Sequence, residues 1–427
     1  MNRRSAGRAA ACLALLAALG CAPEPAGGPT IVTVSGSVLG AEGLVLRRQL
    51  ERFDREEAAI QVRMRPTPDA ADLRHQLYVQ WLNARASDPD ILQVDAIWTP
   101  EFAAAGWILP LDRWAADTAA FFPVTIDANR WQGELFALPW FVDVGMLYWR
   151  TDLFEQAPTT WDVLEREAGR AIADGSPRYG LVWQGARYEG LVTVFVEYLG
   201  GFGGAILDGG RVTVAEAPAV RALTRMRDQI HRIGVVPGRV LTWHEEEPRF
   251  AFQNGQAALM RNWPYAVAPM QDSADSRVAG RFAVAPMPAG PGGRPTAAFG
   301  GAQLAINAFS PEAEAAWAVI DYLTRPEQML ERAGVVGQFP TRTALYDDPA
   351  LADALAIPPA QARQIIEAAV PRPVTPVYTQ LSEILQIQLH RALSRQAEPA
   401  AALARAAAEM QELLDRAGLG RGAVARR

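Results

Sequence analysis

From Thr30 onward, short β-rich runs alternate with longer runs of helical periodicity, and this alternation limits the fold more than any other feature. The run Ile31 to Val34 precedes residues 42–57, where Leu46, Leu50 and Phe53 form one helical face. Residues 60–64, 71–85 and 90–97 repeat the sequence of strand, helix, strand. Such alternation predicts parallel βαβ units, and in open α/β sheets ligands sit beyond the carboxyl ends of the strands. Asp95 stands at such an end. Further on, helices are expected over 161–172 and 217–233, with glycine turns at 200–204 and 209–210. A Pro/Gly-rich loop at 286–295 leads into a strand at 299–306. The chain ends in an amphipathic helix over 400–417, with Leu403, Met410, Leu413 and Leu414 on its apolar face. There is no internal repeat. Two α/β lobes with a cleft between them account for this pattern.

Composition narrows the chemistry. The 427 residues carry a formal net charge of -6, which offers nothing to nucleic acid or to an anionic membrane face. Lysine is absent, so all 41 basic residues are arginine, and Schiff-base and phosphate-loop lysine chemistry are excluded. The two cysteines, Cys12 and Cys21, both precede Thr30, leaving the remainder without a disulfide or a thiolate site. The four histidines lie far apart without zinc-ligand spacing. No metal and no cofactor are expected.

The N-terminus reads as an address. Arg3, Arg4 and Arg8 precede the apolar run Ala9 to Leu19, too short to span a bilayer and suited to the core of a secretory signal peptide. It ends in Ala18-Leu19-Gly20-Cys21, followed by a Pro/Gly-rich stretch, and resembles a bacterial lipoprotein signal in which Cys21 becomes the lipidated first residue. Plain secretion is the alternative, since Ala18 stands where such signals usually carry leucine. Residues 1–20 are thus expected to be a signal peptide and 21–29 a tether, placing the body outside the cytoplasm.

Motifs spread over the body resemble one family. They include Ser87-Asp88-Pro89-Asp90, Asp95 to Trp98, Gly106-Trp107, Pro110-Leu111-Asp112 and Leu138-Pro139 through Asp143 to Asp152. Tyr179 to Gly185, Tyr188 to Val192, Arg261-Asn262-Trp263-Pro264-Tyr265-Ala266, Gly300-Gly301, Ala369 to Pro373 and Gln380 to Glu383 continue the series in order. The chain is similar to the extracellular solute-binding proteins of ABC sugar importers, in particular the trehalose/maltose-binding branch. The resemblance implies a two-lobed periplasmic-binding-protein fold with hinge crossovers. One lobe would comprise 30–141 and 299–346, the other 142–298 and 347–427. It further implies a non-enzymatic monomer that captures an α-linked disaccharide and delivers it to permease subunits.

A sugar offers hydroxyls at its rim and C–H patches on its faces. Carboxylates accept two hydroxyl hydrogens, arginine supplies a fork of donors, and an aromatic ring covers an apolar face. By the resemblance, Glu42, Arg74, Asp95, Phe141, Asp143, Trp263, Tyr265, Gly301 and Arg372 match positions that contact ligand. Plainer roles exist for several of them. Glu42 could cap a helix, Asp95 could hold a loop, Arg74 could lie on a solvated face in competition with His75, and Arg372 could form a surface ion pair. Core packing is the default for a tryptophan.

The sequence departs from the family at two positions. Ala302 replaces a stacking tryptophan and Phe141 a tyrosine, so one subsite should be wider and less polar. A glycoside hydrolase would also use acids and tryptophans, but needs two carboxyls at a defined separation, and no local motif supplies them. A binding protein for a non-sugar solute is the other alternative. Among such solutes, a polyamine would be repelled by Arg372.

Overall fold

The computed structural model describes residues 28–36, 40–68, 71–115, 117–175 and 177–420. The expected signal peptide, Cys21 and most of the tether lie outside them. Eleven strands carry the architecture: β1 Thr30–Gly36, β2 Ile60–Pro66, β3 Ile91–Asp95, β4 Leu138–Val144, β5 Met146–Arg150, β6 Tyr179–Val182, β7 Ala257–Asn262, β8 Phe282–Ala285, β9 Ala297–Ile306, β10 Phe339–Pro340 and β11 Ala369–Val370. They form a seven-stranded sheet in the order β10-β4-β9-β3-β1-β2, with β11 beside β9, and a four-stranded sheet in the order β8-β5-β7-β6.

The expected βαβ units are present at the start of the chain, where β1 pairs in parallel with β2 and β3. Their connecting helices, Gly40–Glu56 and Ala71–Asn83, bury Val45, Leu46, Leu50 and Phe53, and Tyr78 and Leu82 respectively. Elsewhere the reading of a parallel sheet needs correction. β9 runs antiparallel to both β3 and β4, and β5 is antiparallel to β7 and β8. Residue alternation contains no record of strand direction.

Helices cover both sheets. The helices Ala313–Leu323 and Pro326–Val336 pack on Gly40–Glu56 beside the larger sheet. Glu189–Gly201, Ala217–His231, Tyr378–Leu393 and Pro399–Arg416 pack together beside the smaller one. The closing helix buries Ala402, Leu403, Ala406, Met410 and Leu414 at helical spacing. Complete burial of each leucine there contributes roughly 1.5–3 kcal/mol.

Three chain crossings join the sheets, and they lie side by side. β4 passes directly into β5 through Gly145, whose N–H donates to the Ala298 carbonyl at 3.2 Å. β8 returns to β9 through the loop 286–296, and β11 lies parallel to the start of β9, pairing Ala297 with Ala369 and Ala298 with Val370. Residues 145, 298 and 370 are therefore laced across one line. Among the described residues no helix is long and apolar enough to cross a membrane.

Candidate functional site

Two hollows merge beside this line. One, of 940 Å³, is bounded by Glu42, Arg74, Asp95, Phe141, Asp143, Tyr265, Gly301 and Ala302. The other, of 500 Å³, shares Asp95, Asp143, Tyr265 and Gly301 and adds Tyr188, Glu189, His244, Glu245, Trp263 and Arg372. All nine candidate residues from the sequence thus face one cleft, four of them at the junction of its two halves. A separate 510 Å³ hollow behind residues 370–375 is lined mainly by apolar side chains such as Val196, Leu199 and Leu414.

The larger sheet supplies the acids. Glu42 lies in the first turn of its helix, where a carboxylate suits the helix dipole. It is held by the Gln338 amide and lies 3.5 Å from Arg332. Arg332 is buried, stacks 3.9 Å from the Trp140 ring centroid and 5.3 Å from that of Phe141, and so backs this wall of the cleft. Burial lowers the pKa of Arg332 to about 10 against the pull of Glu42, Glu331 and Asp143.

Asp95 ends β3 and accepts the Ile97 N–H at 3.1 Å. Asp143, on β4 opposite Gly300, has a carboxylate that accepts no hydrogen bond among the described residues. Burial, then the charges of Glu42 and Asp95, push its carboxyl up to about 7. Near neutral pH it can accept from a ligand hydroxyl or, protonated, donate to one.

β9 is irregular between Ala302 and Gln303, and Gly301 has φ of 107°. A Cβ there would lie 2.2 Å from the Phe141 carbonyl oxygen, so only glycine fits. Ala302 contributes a methyl group to the wall of the larger hollow. Arg74 reaches this hollow, with its guanidinium 5.7 Å from the Trp98 ring centroid. His75, its competitor, pairs with Glu101 at 2.9 Å and stacks on Phe102.

The smaller sheet supplies the rings. Trp263 and Tyr265 follow β7 in a tight turn at Pro264–Ala266. The Trp263 backbone is fixed by the Asn262 side chain at 2.9 Å and the Tyr148 hydroxyl at 2.6 Å. Tyr265 donates to Glu246 at 2.6 Å and Tyr188 to Glu245 at 2.7 Å. The His244 ring lies 4.5 Å from that of Tyr188.

Arg372 lines the cleft, and its ion pairs are buried rather than at the surface. Its side chain is 4% exposed, and it donates to Asp95 and to Glu189, both at 2.9 Å. Glu189 also accepts from Tyr378 at 2.7 Å and from Ser382. Burial opposes the Arg372 charge, but Asp95 and Glu189 outweigh it and raise its pKa. Arg372 is therefore a buried clasp between the two sides of the cleft, with both terminal nitrogens engaged. With its charge balanced by two carboxylates, the argument that it repels a cation fails.

Sequence reasoning missed Tyr188, Glu189, His244, Glu245, Glu246 and Gln338. The run Trp243-His244-Glu245-Glu246-Glu247 carried a readable signal, since it gathers rings and acids before a helix. Gln338 carried none. Among the described residues no group of three or more His, Cys, Asp or Glu side chains could hold a metal ion.

Residues 51–330 match the family of bacterial extracellular solute-binding proteins. A probable ABC transporter-binding protein of Deinococcus radiodurans is 37% identical over 80% of this chain and 84% of its own length. The structure of maltose-bound MalE3 of T. maritima is 42% identical, with a TM-score of 0.82 over 90% of this chain and 100% of that one. At 24% identity and a TM-score of 0.79, the GacH receptor of Streptomyces glaucescens shares the same fold, covering 91% of this chain and all of its own.

Proposed function

The chain belongs to the bacterial extracellular solute-binding proteins, and we propose from that membership that it captures a disaccharide of the trehalose or maltose kind and delivers it to an ABC importer. The observation that carries this reading is the composition of the cleft. Carboxylates at Glu42, Asp95 and Asp143 face the rings of Trp263 and Tyr265 across a space shared by both sheets. Acids bind the hydroxyl rim and rings cover the C–H faces, each by the chemistry it does best. The relative solved with maltose bound supports the ligand class.

In this reading the two lobes, 30–141 with 299–346 and 142–298 with 347–427, turn about the laced crossings and close on the ligand. The ligand's contacts with both sides favour the closed form, which docks on the permease. The protein works as a monomer, held at the membrane by lipid on Cys21. Ala302 leaves the larger hollow open, which suits a ligand longer than two rings as well as a disaccharide.

Calorimetric titration of the chain without its leader tests the reading, using trehalose, maltose, sucrose, maltotriose and glucose, with spermidine as a control. Saturable binding of a disaccharide is expected. Heat from spermidine alone would reject the sugar, and turnover of an aryl glucoside would reject a pure binding role.

A further inference from the structure

Beneath the cleft lies a fully buried ion pair that no ligand can touch. We propose that this pair, Glu197 with Arg261, is a positioning device that holds the Trp263 ring and ties it to the crossings between the sheets. The inference rests on the reading of the cleft as a sugar site.

Both side chains are 0% exposed. Taking two charges out of water is costly, and a well-packed apolar pair would serve stability at least as well. A positional role is what the apolar alternative could not supply. Arg261 Nε donates to both Glu197 oxygens at 3.0 and 2.9 Å, and Nη1 donates to Gln184 Oε1 at 3.3 Å. These bonds fix the plane of the guanidinium. Its carbon lies 3.9 Å from the Trp263 ring centroid, so the fixed plane supports the ring that lines the cleft.

The other end of the pair meets the crossings. Glu197 Oε1 accepts the Ala298 N–H at 3.3 Å, at the start of β9. Gly145, between β4 and β5, is pressed so closely against the pair that a Cβ would lie 1.7 Å from Glu197 Oε1 and 2.5 Å from Arg261 Nη2. A tilt of the ring must therefore move the guanidinium, then the carboxylate, and then two strands that join the sheets. Stacking at Trp263 is registered at the hinge line through contacts only, with no change of charge.

The test uses the exported chain with fluorine-labelled tryptophan, the Trp263 resonance being assigned by its loss in Trp263→Phe. Variant Glu197→Gln/Arg261→Met removes both charges and keeps the volume. It should melt within a few degrees of wild type, shift the Trp263 resonance in the ligand-free protein, and weaken sugar binding at least tenfold. Wild-type affinity with an unmoved resonance would overturn the proposal and leave the pair a purely structural element. Should this variant fail to fold, Glu197→Asp keeps both charges, withdraws the carboxylate from Ala298, and is judged by the same two readouts. If wild type itself binds no sugar, the functional reading falls, while the ligand-free resonance still decides the positioning role.

Discussion

Asp143→Asn should stabilise the unliganded protein at alkaline pH and leave it unchanged in acid. In the folded chain the Asp143 carboxyl is pushed from 3.8 up to about 7, by burial first and then by Glu42 and Asp95. A carboxyl with a raised folded pKa takes up a proton on folding, so its favourable contribution is complete below pH 3.8 and is lost as pH rises through about 7. The shift spans about three units, which at 1.36 kcal/mol each gives about 4 kcal/mol as the upper value. Water that reaches the half-buried carboxyl reduces this toward about 2 kcal/mol. Asparagine keeps the shape and cannot ionise, so it removes the alkaline penalty. Urea unfolding of both proteins at several pH values between 4 and 8.5 measures the difference. The expected result is a stability gap near zero at pH 4 that widens in favour of the variant between about pH 4 and 7 and is level above that. Parallel pH profiles, or a gap that widens as pH falls, would refute the claim that Asp143 is forced to ionise beside like charges.

Three further outcomes follow from the geometry. Trp263→Ala should abolish measurable sugar binding in calorimetry, a loss of at least a hundredfold or about 2.7 kcal/mol, with the melting temperature within a few degrees of wild type. Gly301→Ala places a methyl group against the Phe141 carbonyl at φ of 107°, and should cost about 3 kcal/mol or more in chemical unfolding. Ala302→Trp should fill the larger hollow, so that competition titrations show maltotriose losing affinity relative to a disaccharide.

The parts of the fold readable from the sequence were those governed by local periodicity. Leu46, Leu50 and Phe53 marked their helix, and the apolar residues before Asp95 marked β3 and its exposed end. The direction of β9 was not readable, because its partners β3 and β4 lie far away in sequence and an apolar run looks the same in either direction. The nine candidate positions came from motif resemblance, and they do lie on one cleft. What each side chain is free to do there was hidden. Arg372 looked available between two prolines, yet Glu189, 183 residues earlier, occupies one arm of its fork. Glu197, a lone acid inside the apolar run Gly190 to Gly201, was not singled out, although such a residue is buried only with a partner. Its partner Arg261 stood within a motif already singled out, but the pairing spans 64 residues.

The lacing of residues 145, 298 and 370 along one line has a geometric consequence for the proposed lobe closure. A leaf hung on three adjacent pins swings, but it can neither slide nor twist. In the proposed closure, every residue on the far wall approaches along an arc of fixed radius, and one angle sets all the gaps at once. A guest of the correct thickness lets every contact close together. One that is too thick near the pins wedges the outer edge open by a multiple of its excess, as a pebble at the hinge holds a gate ajar. Under that proposed closure the cleft would work as a caliper, most exacting at Asp143 and Gly301 beside the pins and more tolerant toward its mouth.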